Sequence, residues 1–282
     1  MASFDLTLTP PQLEIILRPG VTLTQTYEVT NNSSNILFLS ASVEPWQPIG
    51  SAGAVSYSAS ANPNLNFSLA NADLRLNQNF RLDPGQKRQL VLKIHSNPNT
   101  PLGDSYYTFF ISQQNYVSNT PQTIVKIGSH ILVSTSTTDS PEKKLEITKF
   151  SVSPRLKDIL FTKITLQGQI ENTTDHYFRP AGKIFISKNN LLIKELTLAP
   201  QNILAHSARS LSCLSPHSLV TCTLSPPFWP GFYTASLQVE SLNHPATVTF
   251  FIFPYFFVFL SAILCLLTYL YLRLITKICH PS

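Results

Sequence analysis

Apolar and polar residues alternate along most of this 282-residue chain, in short runs separated by turn formers. Residues 21–29 set the pattern: Val21, Leu23, Tyr27 and Val29 share one side, and Thr22, Thr24, Thr26 and Glu28 the other. Period two is what a strand buried on one face requires. Residues 36–43 and 105–112 read as further strand runs, and Leu90, Leu92 and Ile94 face one way. Asp83-Pro84-Gly85-Gln86 and Asn31-Asn32-Ser33-Ser34-Asn35 are turn signals between such runs. Residues 50–70 are small and polar and read as a loop or weak edge strands. A polar stretch over 134–144 with few apolar residues marks a boundary. Strands resume at 144–152 and 164–172, and 179–187 with 191–198 form a hairpin across Lys188-Asn189-Asn190. A last long strand lies in 226–239.

Near the end the pattern changes. Phe250 to Leu272 contains no charged residue and few polar ones. A helix of roughly 20 such residues crosses a ~30 Å hydrocarbon core. Pro254 fits the first turn, and Tyr255, Tyr269 and Tyr271 fit interfacial belts. Arg273 and Lys277 follow directly, whereas no Lys or Arg lies between Arg209 and Arg273. The positive-inside rule then places the tail in the cytoplasm and the preceding domains outside. The fold class expected is all-β: two tandem immunoglobulin-like β-sandwich domains followed by one C-terminal transmembrane α-helix. The boundaries expected are 1–138 and 145–248 for the sandwiches, with a linker at 139–144. The helix takes 250–272, contacting membrane lipid, and a short tail takes 273–282. Residues 1–9 have no basic start and no apolar run, so export calls for a segment upstream. The alternative is a tail-anchored tether facing the cytosol, whose sandwich binds partner peptides.

Composition narrows the function. The formal net charge is +5, yet charged residues are only 12% of the chain, unlike the dense basic patches of nucleic-acid binders. The histidines never reach metal-ligand spacing, the carboxylates do not pair up, and Gly128-Ser129-His130 is not a nucleophile elbow. No enzyme, metal or cofactor is expected. Cys213 and Cys222 lie nine apart with Pro216 between them and could close a disulfide loop in an oxidising compartment; with only His217 between them they make a poor zinc site. Trp46 and Trp229 sit beside prolines at strand ends, where exposed aromatics can stack on sugar rings or plug a sandwich. Asn31, Asn32, Asn66 and Asn172 match the glycosylation pattern, to which no function is assigned.

The first-domain segments Leu8–Gly20, Tyr27–Ser33, Phe80–Gln86 and Pro101–Ile111 occur in an order that resembles the bacterial WxL-interacting protein family. More distantly they resemble the amino-terminal domain of pilus chaperones. Glu171–Thr173, Arg179–Ile184, Ala199–Ser207 and Trp229–Ser236 are similar to the second domain of the same family. The resemblance implies a non-enzymatic cell-surface protein, binding peptidoglycan with its first domain and surface proteins with its second. It carries over no binding residue.

Overall fold

The computed structural model describes residues 5–113, 125–153, 156–158, 163–215, 218–224, 229–242, 244–253 and 255–279. The chain divides into two compact units. The first comprises Met1–Lys143 together with Asn172–Phe178 and Ile203–Ser207, and the second comprises Lys144–Glu171, Arg179–Asn202 and Ala208–Ser282.

Strands of the first unit are β1 (Leu6–Thr9), β2 (Gln12–Leu17), β3 (Thr22–Asn31), β4 (Leu37–Pro45), β5 (Gln47–Ile49) and β6 (Ala54–Ser56). They continue with β7 (Leu65–Leu69), β8 (Asn79–Leu82), β9 (Lys87–Ser96), β10 (Gly103–Gln113) and β11 (Lys126–Thr135). One sheet has the order β1-β3-β9-β7 and the other β2-β11-β10-β4-β8. The chain changes sheets at Pro10-Pro11: β1 pairs antiparallel with β3, and β2 parallel with β11. Inward residues of both sheets meet in one core. Tyr27, Leu90, Leu92, Ile94, Phe109, Ile111 and Ile131 are fully buried there, as alternation within β3 and β9 requires. Each such side chain contributes ~1.5–3 kcal/mol relative to exposure.

Among the described residues, the buried hydroxyls of Tyr27 and Ser129 lack partners. Neither Tyr27 Oη nor Ser129 Oγ reaches a hydrogen bond of good geometry, and burial pushes the Tyr27 phenol up to about 12, the nearby Ser129 hydroxyl opposing it. A buried donor without a partner costs about 1–3 kcal/mol. Tyr27→Phe keeps the ring contact with Phe109 (centroids 4.7 Å apart) and removes the stranded hydroxyl. We expect its urea midpoint to equal or exceed that of the native chain; a clear drop would show that the hydroxyl has a partner.

The second unit contains β12 (Leu145–Ser153), β13 (Leu156–Asp158), β14 (Ile164–Asn172), β15 (Gly182–Lys188), β16 (Leu191–Thr197) and β17 (Ala208–Ser210). β18 (Cys213–Ser215), β19 (Ser218–Val220), β20 (Cys222–Leu224), β21 (Gly231–Val239) and β22 (Ala246–Phe253) follow. β12-β14-β17 form one sheet, with β20 also on β14, and β13-β22-β21-β15-β16 form the other. Leu166, Ile184, Ile186, Leu224, Ala235, Leu237 and Ile252 fill its core. Asn189 and Asn190 both take positive φ, 50° and 63°. Two left-handed residues give the tight hairpin turn that matches strand twist, which is why the Asn-Asn pair joins β15 to β16.

One corner is built twice, on a buried asparagine at the end of a strand. Asn31 Nδ2 donates to the carbonyls of Asn35 and Leu82, and its Oδ1 accepts from Ser33 N and Oγ. Asn172 Nδ2 donates to the carbonyls of His176, Ile203 and Leu204, and its Oδ1 accepts from Thr174 N and Oγ1. Both side chains are fully buried, so every polar atom of each amide is used where water cannot serve.

The end of the chain departs from the sequence-based expectation. Phe250–Phe253 are not membrane-embedded helix but the last residues of β22, with Phe250 opposite Tyr233 and Ile252 opposite Gly231 on β21. Helix α1 (Tyr255–Cys279) starts only after them, and its described side chains run from Val258 to Arg273. Among the described residues, no helix is long and apolar enough to cross a membrane. The single membrane-spanning segment at 250–272, its contact with lipid, the outward-facing domains and the cytoplasmic tail are therefore corrected. The orienting role given to Arg273 and Lys277 goes with them, as does the anchor of the tether alternative. Arg273 is exposed in α1, while Pro254 and the side chain of Lys277 lie outside the described residues.

Candidate functional site

Two places in the structure gather chemistry, and they differ in kind. In the first unit, Asp104 of β10 is held among Tyr106, Ser134, His176 and Tyr177. Its Oδ2 accepts from Tyr106 Oη at 2.7 Å and from the Tyr177 backbone N–H at 2.6 Å. Tyr106 Oη in turn accepts from Ala205 N at 2.9 Å. Burial raises the Asp104 pKa, with the hydrogen bonds from Tyr106, Ser134 and Tyr177 and the charge of His176 pulling it back. Burial also raises Tyr106, and the Asp104 charge adds to it.

Ser134, His176 and Asp104 invite comparison with a catalytic triad, and the geometry argues against a relay. His176 Nδ1 lies 2.6 Å from Ser134 Oγ and 3.6 Å from Asp104 Oδ1. Both neighbours meet the same ring nitrogen, whereas a relay needs one nitrogen toward each. Ser134 is also buried. The group ties residues 172–178 and 203–207 to β10 and β11. Among the described residues, no cluster of His, Cys, Asp and Glu could hold a metal.

Trp46 belongs to the same unit and is only 5% exposed. Its Nε1 donates to the Tyr107 carbonyl at 2.8 Å, and its ring stacks on Tyr106 and meets the edge of His130. Burial lowers the His130 pKa from its ordinary 6.5, and its Nδ1 sits 2.9 Å from Thr108 Oγ1. A histidine favoured as neutral in the fold supplies stability above its ordinary pKa and loses it as pH falls through the folded value. The urea midpoint should decline from pH 7.5 to 5.5, and His130→Gln should flatten that decline. An unchanged slope in the variant would assign the decline to other groups.

In the second unit the feature is a sheet edge. β16 is the terminal strand of its sheet, and its burial pattern is open along nearly its whole length. Leu191, Leu192 and Ile193 are 70%, 59% and 49% exposed. Between Ile186 and Ser187 the register with β15 shifts: Lys194 lies opposite Ile186 and Leu192 opposite Ser187, so Ile193 is the extra residue of a bulge. Glu195 pairs with Lys183 at 2.7 Å, and Lys188 donates to the Pro230 carbonyl. Lys194 has no ion pair among the described residues and gives the edge a positive charge.

The edge is closed at one end. Leu198 bridges Cys213, and Ala199 N donates to the Ser212 carbonyl at 2.8 Å. β18 is held there by the Cys213–Cys222 disulfide, with Cα atoms 4.9 Å apart. Beside this closed end lies a cavity of about 630 Å³, walled by Phe185, Thr197, Leu198, Leu214, Val239 and Leu242. Elsewhere in this unit, Trp229 and Phe232 are 79% and 71% exposed, and Phe232 leans on Phe251 of β22. Neither the edge nor the cavity was picked out from the sequence. A run of three apolar residues in a strand reads as core until the sheet order makes it terminal.

No family model matches the chain, and no curated protein matches it. The WxL-interacting family is thus without support, and with it goes the basis for a peptidoglycan ligand on the first domain. Solved structures similar to this chain are pilus-chaperone-like β-sandwich proteins. A class 5 fimbriae chaperone, CfaA, shares 11% identity over 89% of this chain and 100% of its own, with a TM-score of 0.42. The Escherichia coli chaperone DraB shares 15% over 88% and 97%, with a TM-score of 0.40. The CsuC–CsuE chaperone–tip subunit complex of Acinetobacter baumannii gives 11%, 88%, 98% and 0.40. At these values the likeness concerns the β-sandwich alone.

Proposed function

We propose that this chain is a non-enzymatic binding protein that takes an extended segment of another polypeptide onto the free edge of β16. The observation that carries the reading is the exposure of Leu191, Leu192 and Ile193 on a terminal strand. An edge strand presents unpaired backbone donors and acceptors, and folded proteins normally blunt such edges with charge or bulges. Here the bulge and Lys194 are present, yet three adjacent apolar side chains remain uncovered. An added strand gains main-chain hydrogen bonds along the edge and side-chain contact with these residues. The uncompensated Lys194 favours a segment carrying an acidic residue. The shared nitrogen in the Ser134–His176–Asp104 group supports the non-enzymatic part.

The test is fluorescence anisotropy of the full chain with a panel of labelled eight-residue peptides that alternate valine and threonine and carry one aspartate. Leu192→Lys with Ile193→Lys should weaken binding about tenfold or more at an unchanged thermal midpoint, since about 1.5–3 kcal/mol attaches to each buried aliphatic side chain. Equal binding by native and doubly charged chains, or none by either, would end the reading.

Trp229 supports a second reading, in which its exposed ring and Phe232 stack on a sugar. Soluble peptidoglycan fragments should then quench fluorescence in the native chain and not in Trp229→Phe, because Trp46 is enclosed.

A further inference from the structure

If β16 accepts a strand, the structure also limits where that strand stops and what it carries there. The bulge at Ile193 breaks the ladder, so the regular part of the edge is Lys194–Thr197. One residue further on, Leu198 is already bridged to Cys213, and Ala199 N is bonded to Ser212. An added strand running along β16 toward this end cannot continue past Thr197, because β18 occupies the edge. It must end or turn away there.

That stopping point coincides with the cavity. Thr197 and Leu198 form its wall on the β16 side, Phe185 and Val239 come from β15 and β21, and Leu214 comes from β18. Leu214 is 53% exposed although it stands against a hollow lined chiefly by apolar side chains, with Lys183, Glu240 and His244 also in its lining, which leaves apolar surface on both sides of the opening. A regular ladder this short gives little affinity by itself, because binding first has to offset lost translational and rotational freedom. Extended peptides solve this with an anchor side chain seated in a pocket.

We infer that the partner segment ends at Thr197 with a bulky apolar residue, phenylalanine or leucine in class, whose side chain enters the cavity beside Leu214. This rests on the reading of β16 as the docking edge and specifies its partner. The acidic residue facing Lys194 lies a few positions from that end. An antiparallel segment presents its first residue to the cavity, and a parallel one its last.

The experiment compares labelled peptides identical except at the terminal residue, glycine or phenylalanine, with the change placed at either end. With the native full chain, the phenylalanine form should bind about tenfold tighter at one end only, which also fixes the strand direction. Leu214→Ala, a change at an exposed position, should shrink that preference below about threefold. Thr197→Phe, which fills the opening, should do the same. Both variants are checked for a native thermal midpoint. The edge variant Leu192→Lys/Ile193→Lys should weaken both peptides alike and leave their ratio intact. Equal binding of glycine and phenylalanine forms, with binding still lost in the edge variant, would overturn the anchor and leave the edge standing. Binding untouched by the edge variant would overturn the edge reading itself.

Discussion

Asn31→Ala and Asn172→Ala should each destabilise the fold by about 3–5 kcal/mol, enough to exhaust much of a typical total of about 5–15 kcal/mol. The expectation comes from what each truncation strands. Removing the Asn172 amide leaves the carbonyls of His176, Ile203 and Leu204 without that donor, and Thr174 N and Oγ1 without that acceptor. Removing Asn31 does the same to Asn35, Leu82 and Ser33. Each buried group left unpaired costs about 1–3 kcal/mol, softened where a water enters. Asp at either position is the sharper test. It keeps the shape and both acceptor bonds but turns the donor end into an oxygen facing carbonyls. Burying that charge costs more than losing the side chain, so Asn172→Asp should fall at least as far as Asn172→Ala in urea titrations. A milder effect for Asp than for Ala would mean that water reaches the corner.

Replacing Cys213 and Cys222 with alanine is the second large effect. Closing a loop of this length restricts the unfolded chain by about 2–3 kcal/mol on the chain-entropy account. Both residues are buried, and Cys222 also lies opposite Leu166 on β14. The pair therefore fastens the β18–β19 hairpin to a sheet it does not otherwise share. We expect the double alanine variant, or the reduced native chain, to lose that amount in the transition of the second unit and to expose residues 211–224 to protease first. The first unit, which contains no cysteine, should unfold at its native midpoint. Equal losses in both transitions would show that the two unfold as one.

The strands were largely legible because burial on one face leaves a period-two trace. Leu90, Leu92 and Ile94 show it, and the Asn189-Asn190 turn was legible from residue types that tolerate left-handed backbone. β22 was not legible for the same reason in reverse. Phe250 and Ile252 face the core, but Phe251 and Phe253 are also apolar, and Phe251 packs against both Phe253 and Phe232. Alternation vanished, and the run merged with the apolar helix after it. The placement of residues 172–178 and 203–207 in the first unit was invisible to pattern. It depends on bonds such as Asp104 with Tyr177 N and Tyr106 with Ala205 N, which join positions far apart in sequence. The candidate edge fell between these cases: its strand was readable, but its terminal position in the sheet was not.

The twin asparagine corners also bear on how this protein can be made. Asn31-Asn32-Ser33 and Asn172-Thr173-Thr174 each present an acceptor sequence for N-linked glycan while the chain is still unfolded. Folding then draws the same two nitrogens into the interior, where each donates to several carbonyls. A nitrogen carrying a sugar cannot do this, so glycan transfer and corner formation compete for one atom. In a secretory host that glycosylates nascent chains, any molecule modified at either position is barred from its native corner and is expected to collect as misfolded product. A host without that machinery escapes the competition, and Ser33→Ala with Thr174→Ala would remove the acceptor sequences at the loss of one side-chain donor to each asparagine.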